Sequence, residues 1–166
     1  MVLIKAVHAV SDFIDKVCSA ACIVILTAMV LVTGAQIIWR LCFTALTWSE
    51  ELTRYLLIWA TFLGAGIVYK HNGHIAVTLL QSKCPPAARK VLQLAVHLLC
   101  GAFCVIAAYF GFQYMKMQGN QLSAALRIPM RYMYLSVPIG CLVIALHVVD
   151  AVAGLLVSGE KKEGNP

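Results

Sequence analysis

Four long apolar runs, separated by short polar segments, limit the folds open to this chain more than any other feature of its sequence. Each run holds about 20 residues, which at ~1.5 Å per helical residue matches the ~30 Å hydrocarbon layer of a bilayer. Only helices and closed barrels cross that layer, because every backbone polar group inside it needs a partner within the protein. The pattern predicts an all-α integral membrane protein with four transmembrane helices, at residues 17–39, 50–69, 91–114 and 132–157.

The composition of the chain agrees with a place in the membrane. Of its 166 residues, 61% are hydrophobic and 12% are charged, whereas a soluble domain carries about 25% charged residues. The formal net charge of +6 does not indicate a nucleic-acid partner, because the basic residues flank the apolar runs and form no stripe interleaved with aromatic residues.

The first 16 residues have an amphipathic helical pattern. Lys5, His8, Asp12 and Asp15 recur at helical spacing, and apolar residues occupy the other side. This pattern predicts an interfacial amphipathic helix over residues 1–16, with a solvated helical extension as the alternative. Residues 17–158 then form the four-helix membrane domain, and residues 159–166 form a tail.

The distribution of basic residues predicts the orientation of the spans. Eight of them lie in the amino-terminal stretch, the link of residues 69–90 and the tail, and five lie on the opposite side. Because loops on the cytoplasmic side are enriched in Lys and Arg, both termini are expected in the cytoplasm.

The start of the second span carries the most distinctive charges. The segment from Thr47 to Glu50 fits a capping box, and Arg54 lies one helical turn after Glu50. We therefore predict that the helix is capped by Thr47 and that Glu50 pairs with Arg54. The pair is either solvated at an ordinary helix start or partly buried against protein.

Small residues and proline predict details of packing. The spacing Ala60-x-x-x-Gly64 permits close approach of another helix, and Pro138 is expected to kink the fourth span.

Several residues could carry chemistry, each with a simpler structural interpretation beside it. His97 and His147 are expected at similar depth, where they either ligate a b-type haem or pack through hydrogen bonds. Asp150 is a candidate for a proton relay or for a hydrogen bond at the inner interface. His71 and His74 flank an Asn-Gly turn and favour a capping or interface role over a metal site.

Neither a nucleophile–base pair nor a phosphate loop nor a carboxylate dyad is visible, so we predict a protein that is not an enzyme and holds no cofactor.

Two stretches resemble the small, Q-type (DctQ-like) membrane subunit of tripartite ATP-independent periplasmic (TRAP) transporters. The first reads W-S-E-E-L-T-R-Y-L-L-I-W-A-T-F-L-G-A-G-I-V-Y-K-H-N-G-H-I-A-V, and the second reads I-P-M-R-Y-M-Y-L-S-V-P-I-G. The matched positions of the first are Trp48, Glu50, Glu51, Arg54, Tyr55, Trp59, Phe62, Leu63, Gly64, Ala65, His74, Ile75 and Val77. Those of the second are Ile128, Pro129, Met130, Tyr132, Tyr134, Pro138, Ile139 and Gly140.

The resemblance implies a subunit of a bacterial inner-membrane transporter. In such systems a periplasmic binding protein delivers an organic acid, such as a dicarboxylate, a sugar acid or sialic acid, to a large membrane subunit that couples uptake to sodium. The small subunit is expected to scaffold that large subunit, to contact the binding protein transiently and to be surrounded by lipid. The residues implied at subunit interfaces or in structural roles are Trp48, Glu50, Glu51, Arg54, Trp59, Gly64, His74, Pro129, Pro138 and Gly140.

Two alternatives to this scaffold function come from other classes of protein. One is a haem-binding membrane anchor of a redox complex that uses His97 and His147. The other is an autonomous four-span exporter, which normally needs a carboxylate well inside a span, whereas Glu50 and Glu51 lie at a helix start.

Overall fold

The computed structural model is a bundle of four long helices with one short helical turn. It describes residues 2–42, 46–71 and 86–163, with side chains for residues 5–42, 46–71 and 88–155. The helices are α1 (Val2–Cys42), α2 (Thr47–Lys70), α3 (Pro86–Met117), α4 (Arg131–Tyr134) and α5 (Ser136–Glu163). Within the described residues, four helices are long and apolar enough to cross a membrane, which confirms the predicted fold class.

Helix α5 lies at the centre of the bundle and packs against α1, α2 and α3. The buried core forms where α1, α2 and α5 meet. It consists of Cys18 and Cys22 from α1 with Leu63 from α2, and Ile139 and Val143 of α5 pack against them. The two cysteines therefore act as small apolar residues in the core, as free cysteine commonly does.

Two glycines set the close approach of α2 and α5. A Cβ atom on Gly66 would lie 2.8 Å from Cγ1 of Val143, and one on Gly140 would lie 2.7 Å from Cβ of Phe62. Because neither contact leaves room for a methyl group, the backbones of these helices come nearer than side chains would allow.

Of the two residues in the predicted contact motif, Ala60 lies beside another helix of this chain and Gly64 does not. The carbonyl of Ala60 lies 3.9 Å from the thiol of Cys22 on α1, so α1 does approach α2 at this position. A Cβ atom on Gly64 would meet nothing within 4 Å in the described chain, so a contact of Gly64 with another helix stays a prediction. Helical periodicity cannot distinguish a small residue at an interface from one that faces outwards.

Helix α1 continues through the boundary predicted near Lys16. It stays beside the bundle along this length, since His8 contacts Asp150 near one end and Gln36 contacts Glu50 near the other. The position of residues 1–16 in the membrane surface stays a prediction.

The start of α2 differs from the predicted capping box. The helix begins at Thr47, and the preceding residue, Leu46, has no side-chain hydrogen bond to the helix. Ser49 is buried instead, and its hydroxyl donates to the carbonyl of Leu46 at 2.7 Å. The prediction that Thr47 is the cap was wrong because the helix starts one residue earlier than the motif requires.

The fourth span is interrupted close to Pro138, the residue at which a kink is predicted. The helical path is interrupted at Leu135, between α4 and α5, and Pro138 occupies the first turn of α5. A proline is tolerated there because the first turn of a helix has no internal acceptor for its N–H groups.

Candidate functional site

The carboxylate of Glu51 joins the first turn of α2 to the loop between α3 and α4. Its Oε2 atom accepts hydrogen bonds from the backbone N–H groups of Ala125, at 2.7 Å, and Leu126, at 3.0 Å. The acceptor and its two donors lie more than 70 positions apart in the sequence. Hydrogen bonds to an ionised acceptor are stronger than neutral ones, so this contact holds the loop against the helix.

Tyr55, one turn after Glu51, completes the arrangement. Its hydroxyl donates to the second carboxylate oxygen of Glu51 and lies 3.4 Å from Sδ of Met130. The tyrosine is 8% exposed, so its ring fills the space between α2 and the loop. We call Glu51, Tyr55, Ala125, Leu126 and Met130 the loop clasp.

The loop itself is shaped by its own hydrogen bonds. Leu122 and Pro129 form an antiparallel bridge, and the N–H of Ser123 donates to the carbonyl of Ile128 at 2.9 Å. The hydroxyl of Ser123 accepts from the N–H of Ile128 at 3.2 Å. Arg127 has a φ of 55°, a left-handed conformation that non-glycine residues rarely adopt. These features turn the chain tightly and present the amides of the clasp to Glu51.

An open cleft of about 640 Å³ lies beside the clasp. It is lined by polar residues of α2, including Glu50 and Arg54, and by residues 121–125 of the loop. Arg54 is exposed there, and Glu50 accepts a hydrogen bond from Nε2 of Gln36 at 3.4 Å.

The prediction that Glu50 pairs with Arg54 was wrong. The ion pairs of the described side chains are those of His8 with Asp150, Asp12 with Lys70, and Asp15 with His71. One helical turn brings two side chains near each other, but both are exposed here, and water competes for each charge.

The other residues predicted to have interface or structural roles occupy separate places. Trp48 is 42% exposed, whereas Trp59 packs against the core cluster. Pro138 lies 3.3 Å from the Cβ position of Gly111, at the contact of α3 with α5. Pro129 belongs to the bridged loop, and His74 lies outside the described residues.

The opposite end of the bundle holds a polar cluster that the sequence did not predict as a unit. It joins α1 to α2 and α5 through pairs of polar side chains. These are Asp12 with Lys70 at 2.6 Å, Ser11 with His147 at 2.9 Å, His8 with Asp150 at 3.1 Å, and Asp15 with His71 at 3.2 Å. We call these eight residues the polar cluster. The helical spacing of His8, Asp12 and Asp15 is visible in the sequence, but it predicts an amphipathic helix in the membrane surface or in solvent and not these partners on α2 and α5.

The two histidines that were candidate haem ligands contact side chains of two different helices. Nδ1 of His147 contacts the hydroxyl of Ser11 on α1, and Nδ1 of His97 contacts the hydroxyl of Tyr69 on α2. The rings of His97 and Tyr69 also meet edge to face, with centroids 5.8 Å apart. Both histidines therefore take part in helix packing.

These features define a class: a multi-pass helical membrane protein whose polar side chains fasten its own helices and one loop together. The chain belongs to the DctQ component family of the tripartite ATP-independent periplasmic transporters, whose family model matches residues 29–157. It is thus a TRAP transporter small permease subunit by family.

Curated relatives are named as TRAP transporter permease proteins. A protein of Haemophilus influenzae, named as a proposed TRAP transporter small permease protein, is 27% identical over 88% of this chain and 92% of its own length. The sialic acid TRAP transporter small permease protein SiaQ of Vibrio cholerae is 27% identical over 66% of this chain and 63% of its own. The isethionate TRAP transporter permease protein DctMQ of Oleidesulfovibrio alaskensis is 24% identical over 66% of this chain but only 18% of its own.

Proposed function

We propose that this subunit scaffolds a large membrane subunit that performs sodium-coupled, binding-protein-dependent uptake of an organic acid. The observation that carries the proposal is the similarity to DctMQ, in which the matched segment makes up 18% of a longer permease. A sequence like this one is therefore found in one polypeptide with a much larger permease portion. Where the small subunit is a separate chain, we expect the larger permease portion to be a second protein that forms a heterodimer with it.

The internal contacts of the bundle suit a scaffold. The loop clasp fixes the α3–α4 loop to α2, and the polar cluster fixes α1 to α2 and α5. Glu51 and the cluster residues thus bind parts of the chain to one another. A rigid neighbour of this kind can brace a subunit that moves during transport.

The apolar surface of the bundle is proposed to face lipid and the large subunit. Leu99 and Phe103 on α3 are 77% and 69% exposed, and Leu31 on α1 is 67% exposed. Such exposure is unfavourable in water but normal for a helix inside a bilayer. We assign the protein to the bacterial inner membrane with both termini in the cytoplasm, following the distribution of basic residues.

The clasp end of the bundle is then on the periplasmic side. Its exposed cations, including Arg54, Arg127 and Arg131, are proposed to contact the periplasmic binding protein transiently. Sialic acid, dicarboxylates and sugar acids are the candidate solutes, and one relative is named for sialic acid transport. The chain is proposed to have no enzymatic activity.

Co-purification and reconstitution test this proposal. The tagged chain, isolated in mild detergent from its native cells, is expected to bring with it a larger multi-span membrane protein in equal amount. Vesicles containing both proteins should accumulate the organic acid when a sodium gradient and the binding protein are supplied. Vesicles with either membrane protein alone should not.

Accumulation of solute by the small subunit alone would refute the scaffold function and support the exporter. A Soret absorption band in the purified subunit would support the haem-binding anchor instead.

A further inference from the structure

Three buried polar atoms of the polar cluster have no hydrogen-bond partner among the described residues: Oδ1 of Asp15, Nε2 of His147 and Oδ1 of Asp150. Their residues are 9%, 2% and 6% exposed. Buried polar groups in native proteins are nearly always bonded to protein or to ordered water, so each such atom calls for an explanation.

The three residues are gathered around one contact between two helices. His147 and Asp150 lie one turn apart on α5, and Asp15 lies one turn after Ser11 on α1. The hydroxyl of Ser11 and Nδ1 of His147 are 2.9 Å apart, and Ser11 is fully buried. The unbonded atoms therefore lie within about one helical turn of the Ser11–His147 contact.

The remaining contacts of these side chains do not satisfy the three atoms. Asp15 uses its other oxygen, Oδ2, to contact Nε2 of His71 at 3.2 Å. His8 lies 3.1 Å from Oδ1 of Asp150 as an ion-pair contact, but that oxygen still has no hydrogen bond. These three atoms are therefore open to hydrogen bonds from a ligand.

Water fits these atoms better than a metal ion. The described His, Cys, Asp and Glu side chains form no group of three that could hold a metal ion. Water molecules can donate to the carboxylate oxygens, and they can either donate to or accept from a histidine nitrogen. Buried waters typically make about three such bonds to groups that would otherwise be unsatisfied.

The surroundings of the cluster also suit water. At its rim, the side chains of His8, Asp12 and His71 are 57%, 62% and 66% exposed, so water can reach the cluster from the end of the bundle. Farther into the bundle, Cys18 of α1 and Leu63 of α2 belong to the apolar core and are 5% and 8% exposed. The change from polar to apolar lining marks where hydration should stop.

We propose that the polar cluster is an internal hydration site, in which ordered water bonded to Asp15, His147 and Asp150 joins α1 to α5. The contact between these helices is then partly water-mediated at one end and dry along the core. This site goes beyond the scaffold function and does not depend on it.

Radiolytic hydroxyl-radical footprinting of the full-length subunit in lipid nanodiscs, in ¹⁸O-labelled water, tests the proposal. Radicals formed from bound water modify the side chains beside it, even when these are buried. Cys18, one turn after Asp15, should incorporate ¹⁸O several-fold faster than Cys104 and Cys141. These controls are as well buried, at 2% and 4% exposure against 5% for Cys18. Equal rates at the three cysteines would overturn the proposal.

A pair of variants provides a second measurement. Asp15→Leu replaces a polar ligand one turn before Cys18 with a larger apolar side chain and should slow the labelling of Cys18 to the rate of Cys104. Asp15→Asn keeps polar atoms at the site and should leave the fast labelling unchanged. Folding of both variants is checked by gel filtration, and the wild-type comparison decides the question if the leucine variant does not fold. Fast labelling of Cys18 in a folded Asp15→Leu protein would show that the water comes from elsewhere, and would refute the site.

Discussion

Gly140 of α5 lies directly against Phe62 of α2: a Cβ atom on the glycine would stand 2.7 Å from the phenylalanine Cβ and 3.1 Å from its carbonyl oxygen. Two of the three nearest atoms belong to the α2 backbone and cannot rotate away. Glycine is therefore required here for a packing reason, at a contact between the central helix and its neighbour.

Replacing this glycine should separate the two helices. Gly140→Ala is expected to lower the free energy of unfolding by about 1–3 kcal/mol, because the added methyl group overpacks a rigid contact. Thermal unfolding followed by fluorescence-detected gel filtration in detergent measures the change. Gly64→Ala is the matched control: its Cβ would meet nothing within 4 Å, so it should be neutral or stabilise α2 by up to ~1 kcal/mol. Equal losses in the two variants would contradict this account of the contact.

The loop clasp predicts a local effect of removing one charge. Glu51→Gln keeps the side-chain shape but replaces an ionised acceptor with a neutral amide, so the bonds from Ala125 and Leu126 weaken. Hydrogen–deuterium exchange should then become faster at those two amides, while the middle of α2 remains protected. Glu50→Gln, which alters a residue with a single long contact to Gln36, is the control and should leave the loop unchanged. Unchanged exchange in Glu51→Gln would show that the loop is held by other contacts.

The buried contact between Ser11 and His147 predicts a loss of stability. Ser11→Ala leaves Nδ1 of His147 without its partner at a site that is 2% exposed, which should cost about 1–3 kcal/mol. Chemical or thermal unfolding of the purified subunit measures it. Thr27→Ala on the same helix removes an exposed hydroxyl that bonds only to its own helix, and should have little effect. A destabilisation no greater than that of the control would argue against the contact.

The amino-terminal part of α1 is expected to support assembly rather than solute choice. Deleting residues 2–16 removes the partners of Lys70, His71, His147 and Asp150 together. Buried polar groups left without partners are costly, so the amount of assembled transporter in the membrane should fall. Immunoblotting of the isolated complex measures it. Normal levels of complex in the truncated form would contradict this prediction.

The exposed arginine beside the cleft should affect uptake without changing which solute is chosen. Arg54→Gln removes one cation from the proposed docking surface, and an exposed charge contact is worth at most about 1 kcal/mol. We expect up to about a fivefold higher binding-protein concentration for half-maximal uptake in the reconstituted complex. The order of preference among organic acids should not change. A clean switch in that order would instead place Arg54 in substrate recognition.

The local pattern of the sequence was enough to predict the spans. The runs ending near Trp39, Tyr69 and Tyr114 lie inside α1, α2 and α3, and most of the run ending near Val157 lies in α5, because the length of an apolar run is a local property. The same local rules failed at Thr47, where the helix starts one residue earlier than the capping motif requires, and for the pair of Glu50 with Arg54, because Glu50 contacts Gln36 of α1 instead.

The sequence by itself determined that the chain is an all-helical membrane protein, and its motifs indicated the family that the comparison then established. Only the tertiary structure decided the partners of the polar side chains. Glu51 binds a loop more than 70 residues away and leaves Arg54 to face the cleft, and Ser11 and Asp15 of α1 are buried in the bundle. The physical reason is that the hydrophobicity of a segment depends only on its own residues. A hydrogen bond or a close helix contact depends on the three-dimensional positions of two distant segments.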